Sequence, residues 1–357
     1  RTYAGFHLND AVPGTLTEGT ITADGQLVLR RYYDRDTYQV KYAYEASSSS
    51  ISNLPLPPED TTAYRYGATV TVKPDVSRAD YDFIGWYSKG SSAVAANTAT
   101  FTMPIPLNGQ YVTLWGEFFA KSDVPFTIEH YLIGADGTVP TVPYDVDQSH
   151  GVAGTTVQAA DYVLSFTGYV FDHADPVQGV ITEVAPGLVL KLYYVPATYN
   201  VIYKYENGTL VPAGATNLTS YQMSDVPYGT SVIVGADATA PGYIFSGWRV
   251  EAPVEAVVTG GQFTMPASDV VLVGSFTART NTPYRIEYYW QNANDNGYTL
   301  HEGQNLTGVT DATATIPVRT YAGFHLNSAA SGTLTEGTIT ADGQLVLRRY
   351  YDRDTYQ

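Results

Sequence analysis

Two stretches of this chain, 318 residues apart, are almost the same sequence. Residues 1–39 begin RTYAGFHLND and end RRYYDRDTYQ; residues 319–357 begin RTYAGFHLNS and end identically. They differ at three positions, Asp10 against Ser328, Val12 against Ala330 and Pro13 against Ser331, all in one short turn. Repetition at long range means that the fold is solved unit by unit and not for the chain as a whole.

A second level of repetition lies inside that period. One unit, here termed the GW unit, starts at Tyr38 with YQVKYAYE and continues through YGATVTV, YDFIGW ending at Trp86, and FTMP from Phe101. It recurs from Tyr199 as YNVIYKYE, YGTSVIV, YIFSGW ending at Trp248, and FTMP from Phe263, at an offset of 161–162 residues throughout. Another, the YY unit, opens with PFTIEHYL at Pro125 and PYRIEYYW at Pro283. It closes with LVLKLYYVPATY from Leu188 and LVLRRYYDRDTY from Leu345, a closing also present from Leu27. The expected layout is the back part of a YY unit at 1–37, then GW at 38–122, YY at 123–198, GW at 199–281 and YY at 282–357. Residues 1–37 lack a front half, so they are expected either to fold incompletely or to pair with a neighbouring molecule.

Each unit reads as strands. Tyr38, Val40, Tyr42 and Tyr44 alternate with Gln39, Lys41, Ala43 and Glu45, and Tyr199, Val201, Tyr203 and Tyr205 do the same. Tyr284, Ile286, Tyr288 and Trp290 repeat the period of two in the YY unit, the signature of a half-buried strand. Asp24-Gly25, Asn207-Gly208 and Asp342-Gly343 are turn signals. Short helical segments are expected around 57–66 and 219–226. The connections at 34–37, 121–125, 195–198 and 279–283 are brief, which leaves little freedom between neighbours. The fold class that follows is mainly β: small, single-sheet domains in tandem, forming an elongated rod.

Composition agrees with this class and excludes others. Hydrophobic residues make up 44%, charged residues 15%, and 31 residues are Tyr. Units of about 80 residues bury barely enough surface to be stable, and large aromatics are a remedy because each buries roughly 150–250 Å². The absence of Cys excludes disulfides and thiol chemistry. A net charge of −16 argues against nucleic acid or an anionic membrane as partner, and no apolar run approaches the ~20 residues of a membrane span.

Chemistry-bearing patterns are sparse. The six His, at 7, 130, 150, 173, 301 and 325, show no paired metal spacing. His130 stands where Tyr288 stands in the sister unit, an exchange that suits a packing role. Asp145 and Asp147, in YDVDQSH, and Asp295, in NANDNG, are weak candidate oxygen ligands for a cation; solvated loop acids are commoner, a turn accounts for NANDNG, and no metal is expected. Small units rarely build the cleft that paired glycosidase carboxylates need, and no GxSxG, phosphate loop or GxGxxG occurs. No enzymatic activity and no cofactor is expected. Lys41 and Lys204 fall on the outward face of a strand, which does not suit a buried isopeptide cross-link. Trp86 and Trp248 are expected in cores and not as sugar platforms. The outward tyrosines Tyr131, Tyr193 and Tyr289 are the candidate sugar-stacking positions, with cross-strand pairing as the plain alternative.

The ordered set YG, GY-x-F-x-GW and FTMP makes the GW unit resemble the internalin-type B-repeat, also called the Listeria–Bacteroides repeat. The YY unit, with IEHY or IEYY, its AGF or TGY centre and its closing YY strand, resembles the mucin-binding-protein (MucBP) repeat. The resemblance implies β-grasp-like α+β folds in extracellular, cell-wall-anchored adhesins of Gram-positive type. For some members it also implies binding of host mucin, glycans or glycoproteins. It supplies no set of binding residues. The sequence opens and closes inside a unit, so it is expected to be an excerpt of a longer array, with peptidoglycan anchorage in regions outside it. The expected function is a semi-rigid stalk that projects a distal binding domain, the alternative being that the MucBP-like units themselves bind mucin glycans.

Overall fold

The computed structural model describes residues 1–90, 94–107 and 109–356. The chain divides into two compact bodies. One comprises Arg1–Tyr131, Val142–Val163 and His173–Tyr193; the other comprises Leu132–Thr141, Leu164–Asp172 and Tyr194–Gln357. The division runs through residues 123–198.

Four four-stranded sheets share one strand order, in which the opening and closing strands are the central pair. In the first GW unit the order is Tyr64–Arg65, Thr37–Tyr44, Tyr111–Ala120, Tyr81–Tyr87. In the second it is Met223–Pro227, Thr198–Tyr205, Val270–Gly274, Arg249–Ala252. The last YY unit follows with Tyr298–Gly308, Thr282–Gln291, Val346–Arg353, Phe324–Asn327. The sheet of residues 124–196 has the same order. The central pair is parallel wherever its register is defined: Val40 faces Val112, Val201 faces Val270, and Ile286 faces Leu347. A parallel pair cannot be joined by a hairpin, and the crossover in each unit contains the other two strands and a small ribbon. The ribbons pair Thr69–Thr71 with Thr100–Thr102, Thr156–Gln158 with Gln178–Val180, Ser231–Ile233 with Gln262–Thr264, and Thr313–Thr315 with Glu336–Thr338. Each unit is therefore a sheet plus a ribbon and not a single sheet.

The period-two reading places the core. Tyr38, Val40 and Tyr42 are buried with Val70, Trp86, Met103, Val112 and Leu114. Val201 and Tyr203 are buried with Val232, Phe263, Met265, Val270 and Leu272. Ile286 and Tyr288 are buried with Ala314, Ile316, Ile339, Leu347 and Tyr351. None of these clusters mixes residues from two units. Trp86 is buried in its core and Trp248 is half-buried against its own, their indole N–H groups donating to Pro74 O at 3.3 Å and Ala236 O at 2.9 Å. The buried phenols are also satisfied. Tyr42 Oη accepts the Lys73 N–H and Tyr203 Oη accepts the Gly235 N–H, each at 2.8 Å.

Helix is confined, among the described residues, to 3-10 turns at Ala46–Ser48, Ala159–Tyr162 and Leu218–Tyr221. The α part of the expected α+β class is thus reduced to single turns. The segment 57–66 forms no helix: Pro57-Pro58 offers no N–H donors there, and Tyr64–Arg65 is an edge strand. The turn at Leu218–Tyr221 overlaps only the start of the expected 219–226, the remainder of which enters the strand Met223–Pro227, and it is capped by Asn217, whose side chain accepts the Thr219 N–H.

Residues 1–37 pair Phe6–Leu8 with Tyr33–Arg35, in the same register as Phe324–Leu326 with Tyr351–Arg353, and bridge Leu16 to Arg30 as Leu334 bridges Arg348. Leu347 is 0% exposed against Ile286's strand, while its twin Leu29 is 54% exposed. Ile339 is 3% exposed and its twin Ile21 is 84% exposed. Leu347→Ala is expected to cost about 2–5 kcal/mol, the range for a buried leucine truncation. Native-state hydrogen exchange of the Ile286 and Tyr288 amides would measure the loss, and unchanged protection would contradict it.

Candidate functional site at the joints between units

The feature repeated most faithfully, apart from the sheets, is the way one unit is tied to the next. At each of four joints a linker residue donates its backbone N–H to the carbonyl of a turn residue in the preceding unit. Its own carbonyl then accepts an N–H from the following unit. Asp36 donates to Gly5 O at 2.9 Å and accepts from Tyr66 at 2.8 Å. Lys121 donates to Asp80 O at 2.9 Å and accepts from Ala153 at 2.8 Å. Ala197 donates to Gly168 O and accepts from Tyr228, both at 2.8 Å. Arg279 donates to Gly242 O and accepts from Thr310, both at 2.9 Å.

The sequence folds this way because of backbone conformation. All four turn residues are left-handed, with φ of 80° at Gly5, 70° at Asp80, 80° at Gly168 and 75° at Gly242. Glycine takes that conformation without a Cβ penalty, and Asp tolerates it. Each receiving residue also precedes a left-handed one: Gly67, Gly154, Gly229 and Asp311. A backbone hydrogen bond contributes a net of about 0.5–1.5 kcal/mol, so a relay of two holds a joint without a large apolar interface.

Side chains then distinguish two kinds of joint. Where a YY unit meets a GW unit, a tyrosine ring covers the glycine. A Cβ at Gly5 would lie 2.5 Å from the Tyr66 ring, and one at Gly168 would lie 2.5 Å from the Tyr228 ring. Phe6 packs edge-on against Tyr66 at 5.8 Å, Tyr169 against Tyr228 at 5.6 Å, and Arg35 donates to Tyr66 O at 2.8 Å. Where a GW unit meets a YY unit, polar contacts replace the ring. Thr182 donates to Asp80 Oδ2 at 2.8 Å, and Lys121 pairs with Glu183. At the later joint Thr310 donates to Gly242 O at 2.9 Å, and the Tyr243 hydroxyl donates to Asp311.

The candidate ligand residues sit elsewhere, on the outer faces of the YY sheets. Tyr131 is only 7% exposed. Its ring stacks on Tyr193 at 5.1 Å, and its hydroxyl donates to Glu129 at 2.7 Å. Tyr193 also stacks on His173 at 4.6 Å. Two rings cannot share one face at those distances, so both faces of Tyr193 are covered. Tyr289 repeats the arrangement, stacking on Tyr350 at 5.0 Å and donating to Glu287 at 2.8 Å. The structure therefore places all three tyrosines in cross-strand pairs. His130 and Tyr288 are both fully buried, as interchangeable packing residues should be.

The candidate cation ligands are not brought together. Asp145 accepts its neighbour's N–H from Val146 at 2.9 Å, Asp147 lies 3.6 Å from His130 Nε2, and Asp295 accepts from Asn292 and the Gly297 N–H. Among the described residues no three His, Asp or Glu are grouped to hold a metal. The joints were missed from sequence, although the AGF, TGY and YG motifs contain their glycines and tyrosines. The recurring glycine-before-aromatic was the available signal.

The outer-face pairing has a measurable consequence. The hydrogen bond to Glu129, then burial, then the Glu129 charge push the Tyr131 phenol up to about 12. A raised phenol favours the neutral form in the folded state. Its contribution to stability is whole below the ordinary value near 10 and is lost as pH rises through about 12. Ring-carbon NMR titration is expected to place Tyr131 near 12, and Glu129→Gln is expected to bring it down. An unshifted Tyr131 in the parent chain would contradict the pairing.

Comparison with known proteins gives matches to the GW units. Residues 38–107 match the Listeria-Bacteroides repeat domain, and residues 204–280 match the divergent InlB B-repeat domain. Among solved structures, SHIRT domains 3-4 from a streptococcal cell surface protein are 17% identical, covering 44% of this chain and 99% of their own, with a TM-score of 0.21. The Bacillus anthracis TIE protein is 11% identical, with 75% of this chain and 57% of its own covered and a TM-score of 0.24. The pilus adhesin SpaC from Lactobacillus rhamnosus GG is also 11% identical, with 75% and 48% covered and a TM-score of 0.18. The matches to these last two span about half of each protein. No curated relative matches. The two GW units thus carry the Listeria–Bacteroides and divergent InlB B-repeat signatures within a tandem array of mainly-β repeats.

Proposed function

We propose that this chain is the repeat region of a bacterial cell-surface adhesin, an extracellular, non-enzymatic stalk that holds a distal binding domain away from the cell wall. One observation supports the reading most: the same two-bond relay at four successive joints. A linker residue that spends both its N–H and its C=O on its two neighbours has little freedom of its own, and repeat arrays propagate such nearest-neighbour geometry along their length. The charge of −16 suits an exposed, soluble segment. The rival reading, in which YY units bind mucin glycans or a host glycoprotein, has against it the covered faces of Tyr193 and the burial of Tyr131.

Solution scattering tests the proposal. Units about 30 Å across in line give a radius of gyration near 40 Å, against about 20 Å for one compact globule of this length. Lys121→Pro with Ala197→Pro removes two relay donors and is expected to broaden the distance distribution while leaving the far-ultraviolet circular dichroism unchanged. A radius near 20 Å would overturn the stalk. Saturable binding of the parent chain on a glycan array or in a mucin pull-down would overturn it in favour of the binding module.

A further inference from the structure

Each four-stranded sheet sets a strand beside the outer edge of its opening strand, but the four edges are not equally paired. In the last unit Tyr298–Gly308 covers that edge from Thr282 to Gln291, and Asp145–Gly151 covers its counterpart from Val124 to His130. In the second GW unit Val201 pairs with Met223, and the Gln222 side chain supplies a further rung. Its amide oxygen accepts the Tyr203 N–H at 3.1 Å and its amide nitrogen donates to Tyr203 O at 2.9 Å. In the first GW unit Tyr64–Arg65 pairs only with Thr37 and Tyr38, and the opening strand runs on past it to Tyr44.

Alternation fixes which groups are left over. Gln39 donates to Gln110 O at 3.1 Å and Glu45 donates to Gly116 O at 2.9 Å, so Gln39, Lys41 and Ala43 spend their peptide groups on the parallel partner. Those of Val40, Tyr42 and Tyr44 point the other way. The segment that passes this edge carries Pro55, Pro57 and Pro58 and forms no strand, and proline has no N–H to give a ladder. Side chains of the strand pin the segment near its two ends. The Tyr44 hydroxyl donates to Pro55 O at 2.8 Å, and the Gln39 amide donates to Thr61 O at 3.4 Å. Between these pins lies a cavity of about 390 Å³, lined by Val40 and Tyr42 of the strand and by Leu56, Pro57 and Pro58 of the segment.

We propose that this groove is a strand-acceptor site. It takes an extended peptide segment of a partner protein, which adds to the edge at Val40, Tyr42 and Tyr44 through backbone hydrogen bonds. The chemistry of the occupant follows from the sister unit, where the same edge holds Met223–Pro227. The occupant is a short run of residues with free N–H groups and an apolar side chain opposite Val40, as Met223 stands opposite Val201. Because the proline segment is held by side-chain bonds, it can move aside without breaking a ladder. The site does not depend on the stalk reading, since it uses one sheet edge and none of the joint bonds.

Amide hydrogen exchange of the whole chain is the first measurement. Val40 and Tyr42 are expected to exchange faster than Ile286 and Tyr288, whose outward peptide groups lie in the ladder with Tyr298–Gly308. Equal protection overturns the open edge. The second measurement adds a synthetic peptide with the sequence of residues 222–227. It is expected to slow exchange at Val40, Tyr42 and Tyr44 and to shift their amide resonances, leaving Ile286 and Tyr288 unmoved. An added strand bonds the edge through alternate residues only. N-methylation of every second peptide residue is therefore expected to abolish the response in one phase and to preserve it in the other. Equal responses in both phases overturn strand addition. No response at millimolar peptide overturns the site and leaves the prolines as a plain cover for an edge.

Discussion

Everything in each unit depends on the parallel pairing of its first and last strands. Val40 with Val112, Val201 with Val270 and Ile286 with Leu347 bring the two ends of a unit together at the centre of a sheet. The core residues hang from that pair, and the ribbon packs beneath it. Local sequence sets which strands are possible; the long-range partner decides whether burial follows.

Much of this was legible in the sequence. The alternation at Tyr38, Val40 and Tyr42 fixes which face is buried, because a one-residue slip would turn the whole set outward. The two tryptophans and the His130–Tyr288 exchange are intelligible on the same ground. No helix forms at 57–66, where Pro57-Pro58 removes two backbone donors. The outward direction of Tyr131 was a sound inference from periodicity, but direction is not exposure: a neighbouring strand supplies Tyr193, whose ring closes over it. Cross-strand partners depend on register, and register is not visible in a single strand.

The joints were illegible for a different reason. Their bonds run between backbone atoms, and the linker residues Asp36, Lys121, Ala197 and Arg279 have no side-chain chemistry in common. What the joint requires is a left-handed turn residue on one side and a left-handed residue after the receiver on the other. Glycine meets that requirement most often, and Asp80 and Asp311 meet it where glycine is absent. A linker can therefore vary freely in sequence and still be held in place.

The parallel central pair also sets how a unit responds to tension. The chain enters at the start of the first strand and leaves from the end of the last, and these two points lie at opposite ends of one ladder. Pulling on the chain slides the two strands past each other lengthwise. The ladder bonds between Gln39–Tyr44 and Tyr111–Gly116 then carry the strain together and not in succession. A sheet strung this way resists extension in shear, whereas a hairpin pulled from its open end would unzip one rung at a time.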